Sequence, residues 1–468
     1  MSLHPIDSAI IIFYFIFVWV IGFWKKSDSR IGDYLLMGRR LSLPAFVMTL
    51  VSTWYGGILG VSEFSFSYGI SNWIVFGVPY YVFGLIFAFF IARRARESKA
   101  ETIPGLLRHV YGESSGKIGA LWVFLLASPA PYLLTIGFLI QFFFGVSLIP
   151  AMLIGLAFST LYILRGGLAS VVRTDILQFV LMYLGFIVMA IIGLQTVGSI
   201  AHLKELLPES HTTLTGGHTV GYIIVWFFIA LWTLVDPGFH QRVYATKNPE
   251  TARTGIIIAV CCWFVFDLLT TWTGLLARAL LPSTTIPGQA FLDLSAKILP
   301  VGIQGLFLLG IFATVMSTLD STTLVTAQTM GFDLMARMKR FSLIDPVKLT
   351  KVGMGFSLLL AFILAIYFPS VVNLWYTLGT IILPGLLIPV ISSLYLKTSI
   401  NRDLIKLSMI AGPAVASLWF LGGKVDEWNY YFGVEPFYPG MLMSLMLWGI
   451  GMLRKKHHQL SNQISNAR

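Results

Sequence analysis

The stretch from Thr314 to Thr323 gathers hydroxyls and one carboxylate inside an otherwise apolar run. Thr314, Ser317 and Ser321 recur at helical spacing and share one face, with Thr318 beside them. Oxygens are the ligands a hard cation takes. A small cation such as Na⁺ would find hydroxyls here, and free main-chain carbonyls of a broken partner helix would complete its shell. A Ser/Thr cluster alone also has a plainer use, bonding back to its own helix or joining neighbours. Asp320 inside the cluster tips the reading to cation chemistry. Four further acids lie in or beside apolar stretches: Glu63, Asp175, Asp236 and Asp267. A charge at the centre of a membrane costs about 3 kcal/mol or more, so each is a functional candidate. Asp175, after Thr174, reads either as a carboxylate at a helix N-terminus or as an ion ligand. Asp236, before Pro237, reads as a cap. Asp267 would face a polar bundle interior, and Glu63 an outer vestibule.

The elements that hold these residues follow from composition. Of 468 residues, 56% are apolar and 11% charged, against about 25% charged in soluble domains. Ile118 to Leu164 and Val352 to Leu396 carry no Asp, Glu, Lys or Arg; each run accommodates two spans of about 20 residues. A soluble enzyme, a disordered chain and a disulfide scaffold are excluded, leaving an all-α polytopic membrane protein. The adjacent Cys261 and Cys262 read as buried packing thiols, and the Gly112 to Lys117 stretch lacks the spacing of a phosphate-binding loop.

Apolar windows predict thirteen helices, at 8–24, 42–68, 72–93, 118–146, 149–165, 175–197, 219–237, 255–280, 302–336, 349–368, 371–396, 404–422 and 437–453. With the N-terminus outside and the C-terminus cytoplasmic, the cytoplasmic segments hold 28 Lys/Arg and the outer ones 4, as the positive-inside rule requires. The net charge of +11 therefore marks loops facing an anionic leaflet, not a nucleic-acid partner. The first helix does not read as a signal peptide, because its basic flank, Lys25 and Lys26, follows it.

Helices 2–6 and 7–11 form two sets of five, the second necessarily entering from the opposite side. Inverted repeats of this kind build secondary transporters, with the solute site at their interface. The division is then 1–41 (first helix and loop), 42–197 (first repeat), 198–396 (second repeat) and 397–468 (two further helices and a basic tail). Helix 2 shows the interruption such a site needs, through Ser52, Thr53, Gly56, Gly57 and Gly60; helix 7 shows it weakly, at Asp236-Pro237.

Tyr162, the Gly166-Gly167 pair and Thr174-Asp175 with Gln178 together resemble the signature of the sodium:solute symporter family. Asp236 to Arg242, Ala245 to Ala252, Gly274 to Arg278 with Pro282, and Met316-Ser317-Thr318 match in the expected order, over roughly residues 30 to 400. The resemblance implies a LeuT-type 5+5 inverted-repeat core and sodium-coupled solute uptake by alternating access. It implies a principal sodium site made by the Ser317 and Thr318 hydroxyls with the carbonyls of Val51, Trp54 and Thr314. It also implies a second site at Ser317, Asp320, Ser321 and Asp175, where Asp320 replaces the usual hydroxyl and leaves Na⁺ or a proton as its occupant.

The solute, a small organic molecule, is expected beside the helix 2 break, among Trp54, Tyr55, Tyr80, Trp232, Trp375 and Tyr376. No Lys or Arg reads as lying deep in a span, which disfavours dicarboxylates. Only Arg454 to Arg468 follow the last helix. A solute receptor would therefore need a separate output partner, and a single chain is expected to suffice for transport. No zinc motif or nucleophile elbow suggests an enzyme, and no organic cofactor is expected.

Overall fold

The computed structural model describes residues 3–24, 30–368, 370–395, 401–423 and 430–466, those from 454 onward by backbone alone. Lys25 and Lys26, Lys397, Lys424 and the side chains of the basic tail lie outside the described residues. The membrane helices, in chain order, are α1 (Pro5–Phe23), α2 in two halves (α2a, Leu43–Ser52; α2b, Ile58–Tyr68), α3 (Trp73–Glu97), α4 (Glu113–Phe144), α5 (Leu148–Gly166), α6 (Leu168–Val197) and α7 (Val220–Ala245). They continue with α8 (Pro249–Leu280), α9 (Ile303–Arg337), α10 (Pro346–Tyr367), α11 (Val371–Tyr395), α12 (Arg402–Gly423) and α13 (Phe437–Leu453). Eleven are long and apolar enough to cross a membrane. The other two are α2, whose halves are each too short to span alone, and α13. Among the described residues there is no strand, and the protein is an all-helical integral membrane protein.

Three boundaries differ most from expectation, each for a local reason. α6 begins at Leu168 rather than 175, because Gly167 takes a left-handed conformation (φ 55°) and turns the chain in a single residue. A side chain there would also meet the Tyr34 carbonyl at 2.3 Å. The expected loop 165–174 shrinks to this turn, and Asp175 falls two turns inside α6, too deep to serve the helix terminus. α8 begins at Pro249, capped by the Asn248 side chain, which accepts from Thr251 N at 2.8 Å. α7 runs on to Ala245 instead of ending at 237, restarting after Asp236. Cys261 is exposed and Cys262 half-buried, so the buried-thiol expectation fails: this turn of α8 faces outward.

Two buried acids escaped the sequence reading. Asp7, on α1, accepts from Gly302 N (2.8 Å) and Gly305 N (2.7 Å) and so caps the start of α9. Asp333, near the end of α9, accepts from Thr102 Oγ1 at 2.7 Å. Asp7→Ala is expected to lower stability by about 1–2 kcal/mol, as for other lost N-caps, with Asp7→Asn milder because one acceptor oxygen remains; melting in detergent reads the difference.

The N-terminal end of α2 and the C-terminal end of α7 are joined. Leu41, just before α2a, forms a parallel bridge with Thr246, just after α7, through Leu41 N to Ala245 O (3.0 Å) and Lys247 N to Leu41 O (3.3 Å). Arg96 at the end of α3 donates to Thr246 O at 2.8 Å. These hydrogen bonds tie α2a, α3 and the second half of α7 into one unit.

Candidate transport site

Both interrupted helices face a central cavity. In α2 the helix stops at Ser52 and resumes at Ile58. The gap contains the two glycines that permit its closest approaches. A Cβ on Gly57 would lie 1.7 Å from the Trp375 indole of α11. One on Gly56 would lie 2.4 Å from Thr318 Cβ on α9 and 2.5 Å from the Tyr132 ring on α4. The break in α2 is thus pressed directly against the hydroxyl-bearing turn of α9. In α7 the helix Val220–Ile229 tightens through Ala230–Leu234, stops, and restarts as Pro237–Ala245. Asp236 caps the restart: Oδ1 accepts from Phe239 N at 2.7 Å and Oδ2 from Trp232 Nε1 at 3.1 Å. The interruption that was faint in the sequence is as definite as that in α2.

Trp54, Tyr55, Tyr80, Trp232 and Trp375 all line the cavity, as expected for a solute pocket. Tyr376 does not. Its hydroxyl donates to Glu435 in the segment before α13, and its ring packs in a separate hydrophobic cluster with Phe64 and Tyr430. Glu63 is exposed. Asp267 lines the cavity, with the Tyr81 hydroxyl donating to its Oδ2.

The cavity wall also holds Arg242, on the second half of α7, 1% exposed. The expectation that no basic residue lies deep in a span is corrected here. The segment read as a cytoplasmic loop is a half-helix returning into the bundle. Arg242 Nη2 donates to Ser321 Oγ at 2.6 Å and pairs with Asp175 Oδ2 at 3.4 Å, while Nε donates to Thr49 Oγ1 at 3.0 Å. The Thr49 hydroxyl in turn donates to Asp175, and Ser317 Oγ donates to Asp175 Oδ1 at 2.6 Å. One fully buried carboxylate on α6 therefore gathers α2a, α7 and α9.

The two halves of the hydroxyl cluster face different ways. Thr318 and Ser321 line the cavity. Thr318 Oγ1 donates to Thr314 O at 3.1 Å, and Ser317 Oγ stands 3.0 Å from Ser52 Oγ at the end of α2a. Asp320 instead faces α5, accepting from the Ser159 and Tyr162 hydroxyls. Among the described residues Asp175 and Asp320 share no hydrogen-bond donor. Arg242 is the site residue that sequence reasoning missed. The available signal was the Asp-Pro N-terminal signature at 236–237, which announces a helix start rather than a loop.

Paired interrupted helices around a shared cavity are the architecture of a secondary transporter. Comparison with known proteins agrees. A family model described as "Sodium:solute symporter family" matches residues 34–397. The mouse protein named sodium/glucose cotransporter 4 is 23% identical over 79% of this chain, which spans 61% of that protein's length. The Haemophilus influenzae sodium/pantothenate symporter is 24% identical, over 96% of this chain and 92% of its own. A solved structure described as the substrate-bound outward-open state of a Na⁺-coupled sialic acid symporter superimposes with a TM-score of 0.76 at 15% identity, covering 97% of this chain and 98% of that one. The fold is the LeuT type, and the chain belongs to the sodium:solute symporter family.

Proposed function

We propose that the protein is a plasma-membrane symporter importing a small organic solute with Na⁺ by alternating access, its N-terminus outside and its C-terminus cytoplasmic, acting as a monomer. Residues 42–197 and 198–396 are its two inverted repeats. The principal sodium site comprises the carbonyls of Val51, Trp54 and Thr314 with the hydroxyls of Ser317 and Thr318. The observation that carries this reading is the contact at Gly56, which seats the α2 break on Thr318. An ion held between them binds one arrangement of the two elements more tightly than any other, and that differential affinity is what shifts a conformational equilibrium.

Melting temperature in NaCl against KCl at equal ionic strength tests it. A ligand at about 100 times its Kd stabilises the folded state by about 2.7 kcal/mol. A sodium-specific rise that Ser317→Ala and Thr318→Ala each diminish is the expected result; an unchanged response in both variants removes the site.

A second cation, which the family resemblance places among Ser317, Ser321, Asp175 and Asp320, is proposed to bind at Asp320. Arg242 already balances Asp175 and occupies Ser321, whereas Ser159 and Tyr162, the partners of Asp320, are neutral. A buried carboxylate needs a counter-charge or a proton, so Asp320 carries this step, with Na⁺ preferred. Asp320→Asn is expected to reduce the number of sodium ions coupled, read from the steepness of uptake against sodium concentration. If the variant instead loses only a pH dependence of uptake, the occupant is a proton.

A further inference from the structure

Three charged side chains border the central cavity: Asp236, Arg242 and Asp267. Two are balanced by the protein itself. Asp236 caps the second half of α7 and takes the Trp232 indole N–H, so a helix N-terminus offsets its charge. Arg242 is paired with Asp175. Asp267, on α8 and only 6% exposed, is bonded by the neutral Tyr81 hydroxyl, which itself accepts from Trp73 Nε1 at 3.2 Å. Among the described residues no basic side chain forms an ion pair with Asp267. A carboxylate removed from water without a counter-charge is costly, and this one opens onto the space where a solute would sit.

The walls add a second observation. Trp54, Tyr55, Tyr80, Trp232 and Trp375 present aromatic rings to the cavity, Trp54 and Tyr80 edge to face at 5.3 Å between centroids. Aromatic rings around a carboxylate match a cation, which the face of a ring attracts through its quadrupole. The same lining is poor for a sugar or polyol, which needs several convergent uncharged donors and acceptors. Among the described residues that line the cavity there is no Asn or Gln. The hydroxyls of Thr53, Thr318 and Thr322 bond back to their own helix carbonyls and Ser321 is engaged by Arg242, which leaves Ser128, Tyr80 and Tyr132 as the lining hydroxyls open to a solute. A solute that is only an anion would face two acids and a guanidinium already paired.

The geometry of α3 supports a built site. Its first turn, Trp73–Gly77, is a wide π-turn, a feature frequent at functional positions. A Cβ on Gly77 would lie 2.8 Å from Tyr81 Oη and 3.2 Å from Asp267 Oδ2, so the glycine lets α3 close on the carboxylate.

We propose that the cavity takes a small solute bearing an ammonium group, protonated or quaternary, with Asp267 as its counter-charge and the aromatic rings as its walls. The assignment rests on the transport reading above and names the substrate class of that same site.

The test uses the purified full chain in detergent with NaCl, and reads thermal stabilisation by L-proline, glycine betaine and choline against D-glucose, myo-inositol and pantothenate. The expected result is stabilisation by at least one ammonium compound. Its affinity should fall about tenfold or more in Asp267→Asn, as when one partner of a buried charge pair is truncated, and be partly kept in Asp267→Glu. The sodium-specific rise in melting temperature should persist in Asp267→Asn, which shows the variant folded and the ion site intact. Stabilisation by a polyol or pantothenate alone, by no ammonium compound, or by an ammonium compound equally in wild type and Asp267→Asn overturns the proposal. A wild-type chain with no sodium-specific rise overturns the symport reading instead, and leaves the ammonium result to decide the solute class by itself.

Discussion

Arg242→Met is expected to cost about 3–5 kcal/mol of stability, because removing one partner of a buried ion pair strands the other charge. Arg242 and Asp175 are 1% and 0% exposed at their side chains, so the pair is held almost entirely by protein. The loss extends beyond the pair, since Arg242 also holds Thr49 and Ser321, and with them the contact of α7 with α2a and α9. Adding Asp175→Asn should recover much of the loss, because replacing both members of a buried pair is far less damaging than breaking it. Melting temperatures of the two single variants and the double variant give the coupling directly. Strict additivity would mean that the pair contributes nothing and that Arg242 acts through its hydroxyl partners alone.

Gly56→Ala is expected to abolish the sodium-specific rise in melting temperature while lowering basal stability by about 1–3 kcal/mol, the usual cost of overpacking. The added methyl would stand 2.4 Å from Thr318 Cβ and 2.5 Å from the Tyr132 ring. Thr318 is β-branched and stiff at χ1, and its Cβ is set by the α9 backbone, so it cannot swing aside. The α2 break must then lift from α9, separating the carbonyls of Val51 and Trp54 from the hydroxyls of Ser317 and Thr318. Sodium titrations of melting temperature check this. A variant that is destabilised yet keeps its sodium response would show that the ion sits away from this contact.

Much of this architecture is legible in the sequence, because the deciding signals are local. A span of lipid-crossing length is a property of consecutive residues, so the helix count and the membrane character follow from apolar run length. The break in α2 is announced by Gly56 and Gly57 within a few positions, and the face of Thr314, Ser317 and Ser321 by helical period alone. The family signature around Gly166-Gly167 and Asp175 is likewise contiguous.

Tertiary structure alone decided which charge meets which partner. The half-helix carrying Arg242 is short and polar, so by composition it reads as a loop. Only docking against α6 and α9 reveals it as buried, in contact with residues 67 and 79 positions away. The same holds for Asp7, an apparently solvent-side acid that caps a helix almost 300 residues later. It holds for Asp320, which turns to α5 rather than to Asp175, and for Tyr376, which leaves the cavity for Glu435. The physical reason is common to all of them. Apolar burial is read from each residue's own chemistry and period, whereas compensation of a buried charge depends on geometry between distant segments. Several arrangements of seven membrane acids satisfy the same pattern of residue types, and only the packed bundle selects among them.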